Sequence, residues 1–167
     1  PDAVEGDVHV RPDGESMLQT AGMRIRCRPG DPAVRVANAA GETVLDLLDA
    51  QVQALGSVAR FRAAPDEDWM GFGDQTRERL FHRGHIADCH VLNVKSYIPV
   101  PFFMSTCGVG VLANTTHRVV FDLCKSEPDQ VVWRDGRGTV DFYVFVGSSF
   151  RELLDLYTGL TGRPKLP

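Results

Sequence analysis

Three groups of side chains in this chain are of types that do chemistry. Asp66, Glu67, Asp68 and Asp74 bring four carboxyl groups within nine positions, the raw material for general acid and base work. They fall in a Pro-containing, turn-rich stretch, where solvated charges are the plain expectation. His82, His85 and His90, with Asp88 between them, offer imidazoles that could ligate a metal, but no fourth ligand at a standard spacing accompanies them, so loop histidines bonded to backbone are expected and no metal is assigned. Cys27, Cys89, Cys107 and Cys124 show no C-x-x-C spacing and read as unpaired thiols packed in or beside strands, which favours a reducing cytoplasm, although an even count leaves disulfides open. Trp69, Tyr97 and Trp133 could stack on a sugar ring, against the commoner fate of strand aromatics as core. His90 or His117 with Glu127 is the single His and Glu combination that could face one another across a sheet cleft.

The elements that must carry these groups are mostly strands. Met23, Ile25 and Cys27 alternate with Arg24, Arg26 and Arg28, the period of a half-buried strand whose arginines face solvent. Val34 and Val36 lead through Ala40-Gly41 into Thr43 to Leu48 as a hairpin, residues 49–56 are expected as a connection, and Ser57 to Ala64 form a further strand. Pro99 and Pro101 each fix φ and remove a donor, so Ile98 to Met104 is expected as an edge or entry strand and not as a helix. Gly108 and Gly110 permit a reversal, and Val111-Leu112, the Asn114-Thr115-Thr116 turn and the Val119, Phe121, Leu123 alternation read as a hairpin. Val131 to Arg134 connects through Asp135-Gly136-Arg137-Gly138 to Thr139 to Val146, apolar on both faces near its end and so expected in a sheet centre. A single helix is convincing, with Ser149 as cap, Glu152 in the capping-box position, a stripe of Phe150, Leu153, Leu154, Tyr157 and Leu160, and Gly162 and Pro164 as stops. Strands throughout with one terminal helix predict an all-β antiparallel sandwich with a C-terminal α-helix.

The same segments carry a resemblance. The run from Ile98 to Asp122, IPVPFFMSTCGVGVLANTTHRVVFD, is similar to a segment of glycoside hydrolase family 31, the α-glucosidases, α-xylosidases and their relatives. Gly71-Phe72-Gly73-Asp74 resembles the family's Gly-x-Gly-Glu/Asp signature and Leu80 to Gly84 its Leu-x-x-Arg-Gly run. Asp141 to Gly147 and Tyr157 to Pro164 complete the order, over roughly residues 20 to 167. The resemblance implies the galactose-mutarotase-like sandwich that precedes the family's catalytic barrel, with residues 1–162 as the N-terminal domain and 163–167 as the start of a linker into that barrel. It also implies a carbohydrate partner reached through a larger parent enzyme. In the family, the segment between the Arg-Gly run and the Pro-braced strand reaches toward the sugar, often with an Asp. Here that stretch carries Asn93, Lys95 and Ser96, and Lys95 stands where the Asp is usual, offering donors and positive charge instead of acceptors.

At 167 residues the chain has room for one domain and not for a (β/α)8 barrel as well, which alone takes about 250 residues. A retaining glycosidase needs two carboxyl groups about 5 Å apart. No segment resembles the family's Trp-x-Asp nucleophile motif, so no catalytic residue and no cofactor is expected in this chain. The net charge of −4 gives no basic face for nucleic acid, and no apolar run approaches the roughly 18 residues of a membrane span. Two rival readings stand beside the family 31 domain. A free-standing carbohydrate-binding module would need exposed coplanar aromatics, and a mutarotase-type enzyme would need His and Glu facing each other. If the chain supports a barrel, an apolar surface is expected near Pro99 to Met104 and the helix.

Overall fold

The alternation read in the sequence builds a computed structural model that describes residues 7–74, 79–91, 98–136 and 138–163. Thirteen strands and one helix follow in chain order among them: β1 (Asp7–Val10), β2 (Ser16–Gln19), β3 (Met23–Cys27), β4 (Val34–Asn38), β5 (Thr43–Gln53), β6 (Gly56–Arg62), β7 (Trp69–Gly73), β8 (His85–Cys89), β9 (Pro99–Ser105), β10 (Val109–Ala113), β11 (Val119–Leu123), β12 (Gln130–Asp135), β13 (Phe142–Val146) and α1 (Phe150–Thr161). Two antiparallel sheets face each other: a nine-stranded one in the order β1-β2-β3-β4-β5-β6-β12-β11-β8, and a four-stranded one in the order β13-β10-β9-β7. The all-β sandwich with a C-terminal helix is therefore the architecture observed.

Between the sheets, period-2 alternation delivers Val36, Leu47, Phe61, Trp133 and Phe121 from the larger sheet, and Phe72, Phe103 and Val111 from the smaller, into one core. A run of aromatic rings crosses it: Phe72 stacks on Phe103 at 5.2 Å, meets Phe121 at 5.4 Å, and Phe121 lies 5.8 Å from Trp133. The helix forms a third layer, on the outer face of the smaller sheet. Leu153 is wholly buried there against Phe102 and Met104, worth roughly 2 kcal/mol, and Tyr157 stacks on Phe102 at 4.0 Å. Ser149 caps α1 by accepting the Glu152 N–H, while the Glu152 carboxylate takes the N–H and hydroxyl of Ser148 at 2.8 Å, a capping box displaced by one residue. Leu154 and Leu160, assigned to the buried stripe, face solvent instead.

Four expectations are corrected. Residues 49–53 are not a connection but the end of the long β5, paired from Asp49 to Gln53 with Arg60 to Gly56 of β6. The segment from Val111 to Leu123 is not a hairpin, because β10 lies in the smaller sheet and β11 in the larger, and the Asn114 to His117 turn carries the chain between layers. The hairpin is β9 with β10, turned at Gly108, whose φ is 82°. Nor is Ile98 to Met104 an edge: β9 lies between β10 and β7. It tolerates its prolines because β10 pairs only with Phe102 to Met104, and β7 bulges past the stretch that holds Pro101. Finally, β13 is not central but an edge strand, apolar on both faces because one meets the core and the other meets α1. Strands β1, β2, β7 and β8 are short and were not legible in the alternation.

Candidate functional site

Strand directions place the turns at 53–56, 113–119 and 135–142, the end of β8 and the start of β9 at one end of the sandwich. The expected sugar-contacting residues Asn93, Lys95 and Ser96, together with Tyr97, lie outside the described residues, but both flanks of their segment are at that end. The chain leaves the larger sheet at Cys89 and joins the smaller at Pro99. The described geometry is that of the two anchors.

The downstream anchor is built from backbone. Gly71, Phe72 and Gly73 all have positive φ, of 127°, 66° and 73°, a conformation that a bulky residue rarely adopts. The reason is a bulge: Gly71 pairs with Phe103 and Gly73 with Pro99, so two steps of β7 span four of β9. A Cβ on Gly73 would stand 2.0 Å from the Ile98 carbonyl oxygen, and one on Gly71 2.6 Å from that of Phe102, so only glycine allows the approach. The Asp74 N–H donates to Ile98 O at 2.9 Å. Phe72 is held in its unusual geometry by complete burial, with the His82 ring edge-on at 5.3 Å and Phe103 stacked behind. Burial, followed by the neighbouring charge of His85, lowers the His82 pKa below its ordinary value.

The upstream anchor is a regular ladder with one surface pair. Strand β8 runs against β11, Cys89 opposite Val119 and Asp88 opposite Val120. The Arg118 guanidinium grips Asp88, Nε to Oδ1 at 2.9 Å. The Asp88 carbonyl accepts the His90 N–H at 2.9 Å, turning the chain outward. Cys89 points inward, and burial pushes its thiol up to about 12, so it is a packing group and not a nucleophile.

The far end of the sandwich holds Asp66, Glu67 and Asp68, while Asp74 lies at the opposite end beside Ile98, and for Glu67 the expectation of a solvated charge is corrected. Glu67 is only 7% exposed. Its carboxyl accepts the Ala64 N–H at 3.0 Å and the hydroxyl of Ser105, the last residue of β9. Burial raises its pKa, against the lowering effect of those two bonds and of Arg83. Arg83 donates to the carbonyls of Ala64, Glu67 and Pro128 at 3.0, 2.6 and 2.9 Å, and lies 5.7 Å from the Trp69 ring centre. The Asp68 carboxylate accepts the N–H groups of Trp69 and Arg83, both at 2.8 Å. These groups tie turns together and show no arrangement for acid and base work.

The remaining candidates also resolve into structure. Trp69 and Trp133 are core residues, not a platform. His85 contacts the Arg83 carbonyl through Nδ1 at 3.0 Å, and among the described residues no group of three or more His, Cys, Asp or Glu side chains is arranged to hold a metal ion. His90 and His117 lie beside the ends of β8 and β11 at one end of the sandwich, and Glu127 lies in the β11 to β12 turn at the other, so no mutarotase-type pair forms. None of the four cysteines is in a disulfide, and only Cys89 is fully buried. Sequence reasoning overlooked the roles of Asp88, Arg118 and Glu67. The Gly-x-Gly spacing at 71–73 was the one available signal for the backbone anchor.

Comparison with known proteins gives no match to a family model. An α-glucosidase of Saccharolobus solfataricus is 35% identical over 74 residues, covering 42% of this chain and 11% of the relative. An α-xylosidase of Lactiplantibacillus pentosus is 34% identical over 73 residues, covering 44% of this chain and 10% of the relative. The structure of a GH31 dextranase of Flavobacterium johnsoniae in complex with glucose superposes with a TM-score of 0.86 over 97% of this chain and 21% of that one, at 20% identity. The chain thus spans about a tenth of the length of the relatives it matches by sequence. Alike in sequence over part of its length to these α-glycosidases and in fold over nearly all of it to part of the GH31 dextranase, the chain is a β-sandwich similar to a portion of glycoside hydrolase family 31 enzymes.

Proposed function

We propose that this chain is the non-catalytic N-terminal domain of a retaining α-glycosidase, supporting a (β/α)8 barrel and presenting Asn93, Lys95 and Ser96 to the sugar pocket. The observation that carries the reading is the proportion: a fold matching 97% of this chain occupies only 21% of the dextranase. The anchors fit the role, because two different sheets hold the flanks of the 92–97 segment at one end of the sandwich. Residues 163–167 lead toward the barrel in this reading. Phe102 and Met104 are covered by α1, so the apolar surface offered to a partner is the helix itself, through Leu154, Leu156 and Leu160, with Tyr143 on the adjoining strand. Four cysteines outside any disulfide support a cytoplasmic location. A free-standing sugar-binding module is disfavoured by the burial of both tryptophans.

The test compares this chain with the longer polypeptide that contains it, on aryl α-glucosides and α-xylosides. The longer protein is expected to hydrolyse at least one of them and the 167-residue chain neither. Turnover by the chain alone would overturn the non-catalytic assignment. In the longer protein, Lys95→Asp is expected to change the ratio of kcat/KM between the two substrate classes, and an unchanged ratio would remove the segment from the sugar pocket.

A further inference from the structure

We propose that the outer face of the larger sheet carries an oxyanion site centred on Arg26 and Arg35, completed by Arg24 and Thr43, that takes one sulfate, phosphate or carboxylate group. The inference is independent of the glycosidase reading. It begins with register: Arg26 of β3 and Arg35 of β4 are direct cross-strand partners, so two like charges stand on the same face within about 5.5 Å at Cβ. Such a pair costs stability unless an anion lies between its members. Every other outward arginine of strands β3 to β6 has an acceptor. Arg35 and Arg62 share Asp46 at 3.3 and 3.2 Å, Arg60 has Asp49 at 3.2 Å, and Arg24 has the Gln19 side-chain oxygen at 3.3 Å. Arg26, half-buried, has no hydrogen-bond or ion-pair partner among the described residues.

A concavity accompanies the charge. A cavity of about 60 Å³ is lined by Arg24, Arg26, Arg35, Ala37, Gly41 and Thr43, so three guanidinium groups and a hydroxyl border it and no carboxylate does. Gly41, at φ 87°, leaves the rim open. On the other side of Arg26 a second cleft contains Glu15, Asp31 and Asp46, and each of these is engaged elsewhere: Glu15 with Arg11 at 3.2 Å, Asp31 with the Ala33 N–H at 2.9 Å, Asp46 with Arg35 and Arg62. Arg35 uses its Nε edge on Asp46, and Arg26 keeps all five of its donors. A planar fork of that kind suits a tetrahedral or carboxylate oxyanion in a bidentate grip. The charge is local, since the chain as a whole carries −4.

The test is a titration of the 167-residue chain with sodium sulfate at constant ionic strength, read on arginine Nε–H resonances by NMR. Saturable shifts are expected at Arg26 and Arg35, with Arg60 on the same face unmoved. Arg26→Gln is expected to weaken sulfate binding roughly tenfold and, without sulfate, to raise Tm slightly by removing the like-charge pair. Two further arms locate the source of the group. Glucose 6-sulfate binding more tightly than inorganic sulfate assigns the site to a charged glycan substituent, and equal binding assigns it to a free anion; either supports the site. Uniform, unsaturable shifts across all surface arginines, or unchanged binding by Arg26→Gln, would overturn it.

Discussion

The segment at 92–97 is held by two flanks of opposite character. Upstream, β8 is an edge strand of the larger sheet among the described residues, with the Asp88 to Arg118 surface pair as one of its side-chain ties. Downstream, β9 lies inside the smaller sheet and is fixed at both ends. Its start is pressed against Gly71 to Asp74, and its last residue, Ser105, donates to the buried Glu67. The difference teaches where rigidity resides. A strand of an edge ladder can shift with modest loss, whereas one clamped between glycines and a buried carboxyl cannot move without displacing the core.

Breaking the downstream flank is expected to have the largest effect. Gly73→Ala puts a methyl 2.0 Å from the Ile98 oxygen at a backbone φ of 73°, and neither strand can give way without disturbing Phe72. A loss of about 4 kcal/mol is expected in urea unfolding, at the top of the range for single substitutions. The matching control is Gly159→Ala, a helical position with open space at Cβ, expected to gain about 0.5–1 kcal/mol. Equal, small effects at both positions would remove the glycine clamp from the account.

The middle effect concerns pH and the far end of β9. Burial holds the Glu67 carboxyl above its ordinary value of 4.5, so the folded protein keeps that proton at pH values where the unfolded chain has released it. The stability that protonated Glu67 contributes is complete below 4.5 and is lost as pH rises through the higher folded-state value. Glu67→Gln cannot ionise while retaining an acceptor for the Ala64 N–H. Its stability relative to wild type is therefore expected to improve as pH rises above 4.5 and then to level off once the folded-state carboxyl has ionised, in paired denaturant titrations. A difference that is flat in pH, or that runs the other way, would mean the carboxylate is stabilised as an anion where it lies.

What the sequence disclosed of this contrast followed from periodicity. The strict alternation at Met23 to Cys27 and Val119 to Leu123 announced strands, and Ser149 with Glu152 announced the helix, because each signal is local. Which sheet a strand joins is not local. The same apolar character at Phe142 to Val146 served an edge strand covered by a helix as well as it would a central strand, and the turn at Asn114 to Thr116 crossed between layers where hairpin chemistry was expected. Of the site, Gly71-Phe72-Gly73 was visible as a motif but not as a clamp, since its partner carbonyls come from residues 98 and 102, far along the chain. Glu67 was misread for a similar reason: the hydroxyl that donates to it lies 38 residues away.

Loosening the upstream flank is expected to have the smallest effect, and the direction of its salt dependence is its signature. Asp88→Asn keeps the shape of the side chain and removes the charge that Arg118 meets on an exposed face, where water already screens the pair. The β8 to β11 ladder persists through backbone bonds, so Tm is expected to fall slightly at low ionic strength, and the difference from wild type to close as sodium chloride rises from about 0.05 to about 0.5 M. Hydrogen exchange sharpens the point further. Amides of Ile86 to Cys89 should exchange faster in the variant while those of Phe102 to Met104 keep their protection, because the two strands belong to different sheets. Loss of protection in β9 as well would show that the flanks open together, and the contrast between them would then be one of composition and not of mechanics.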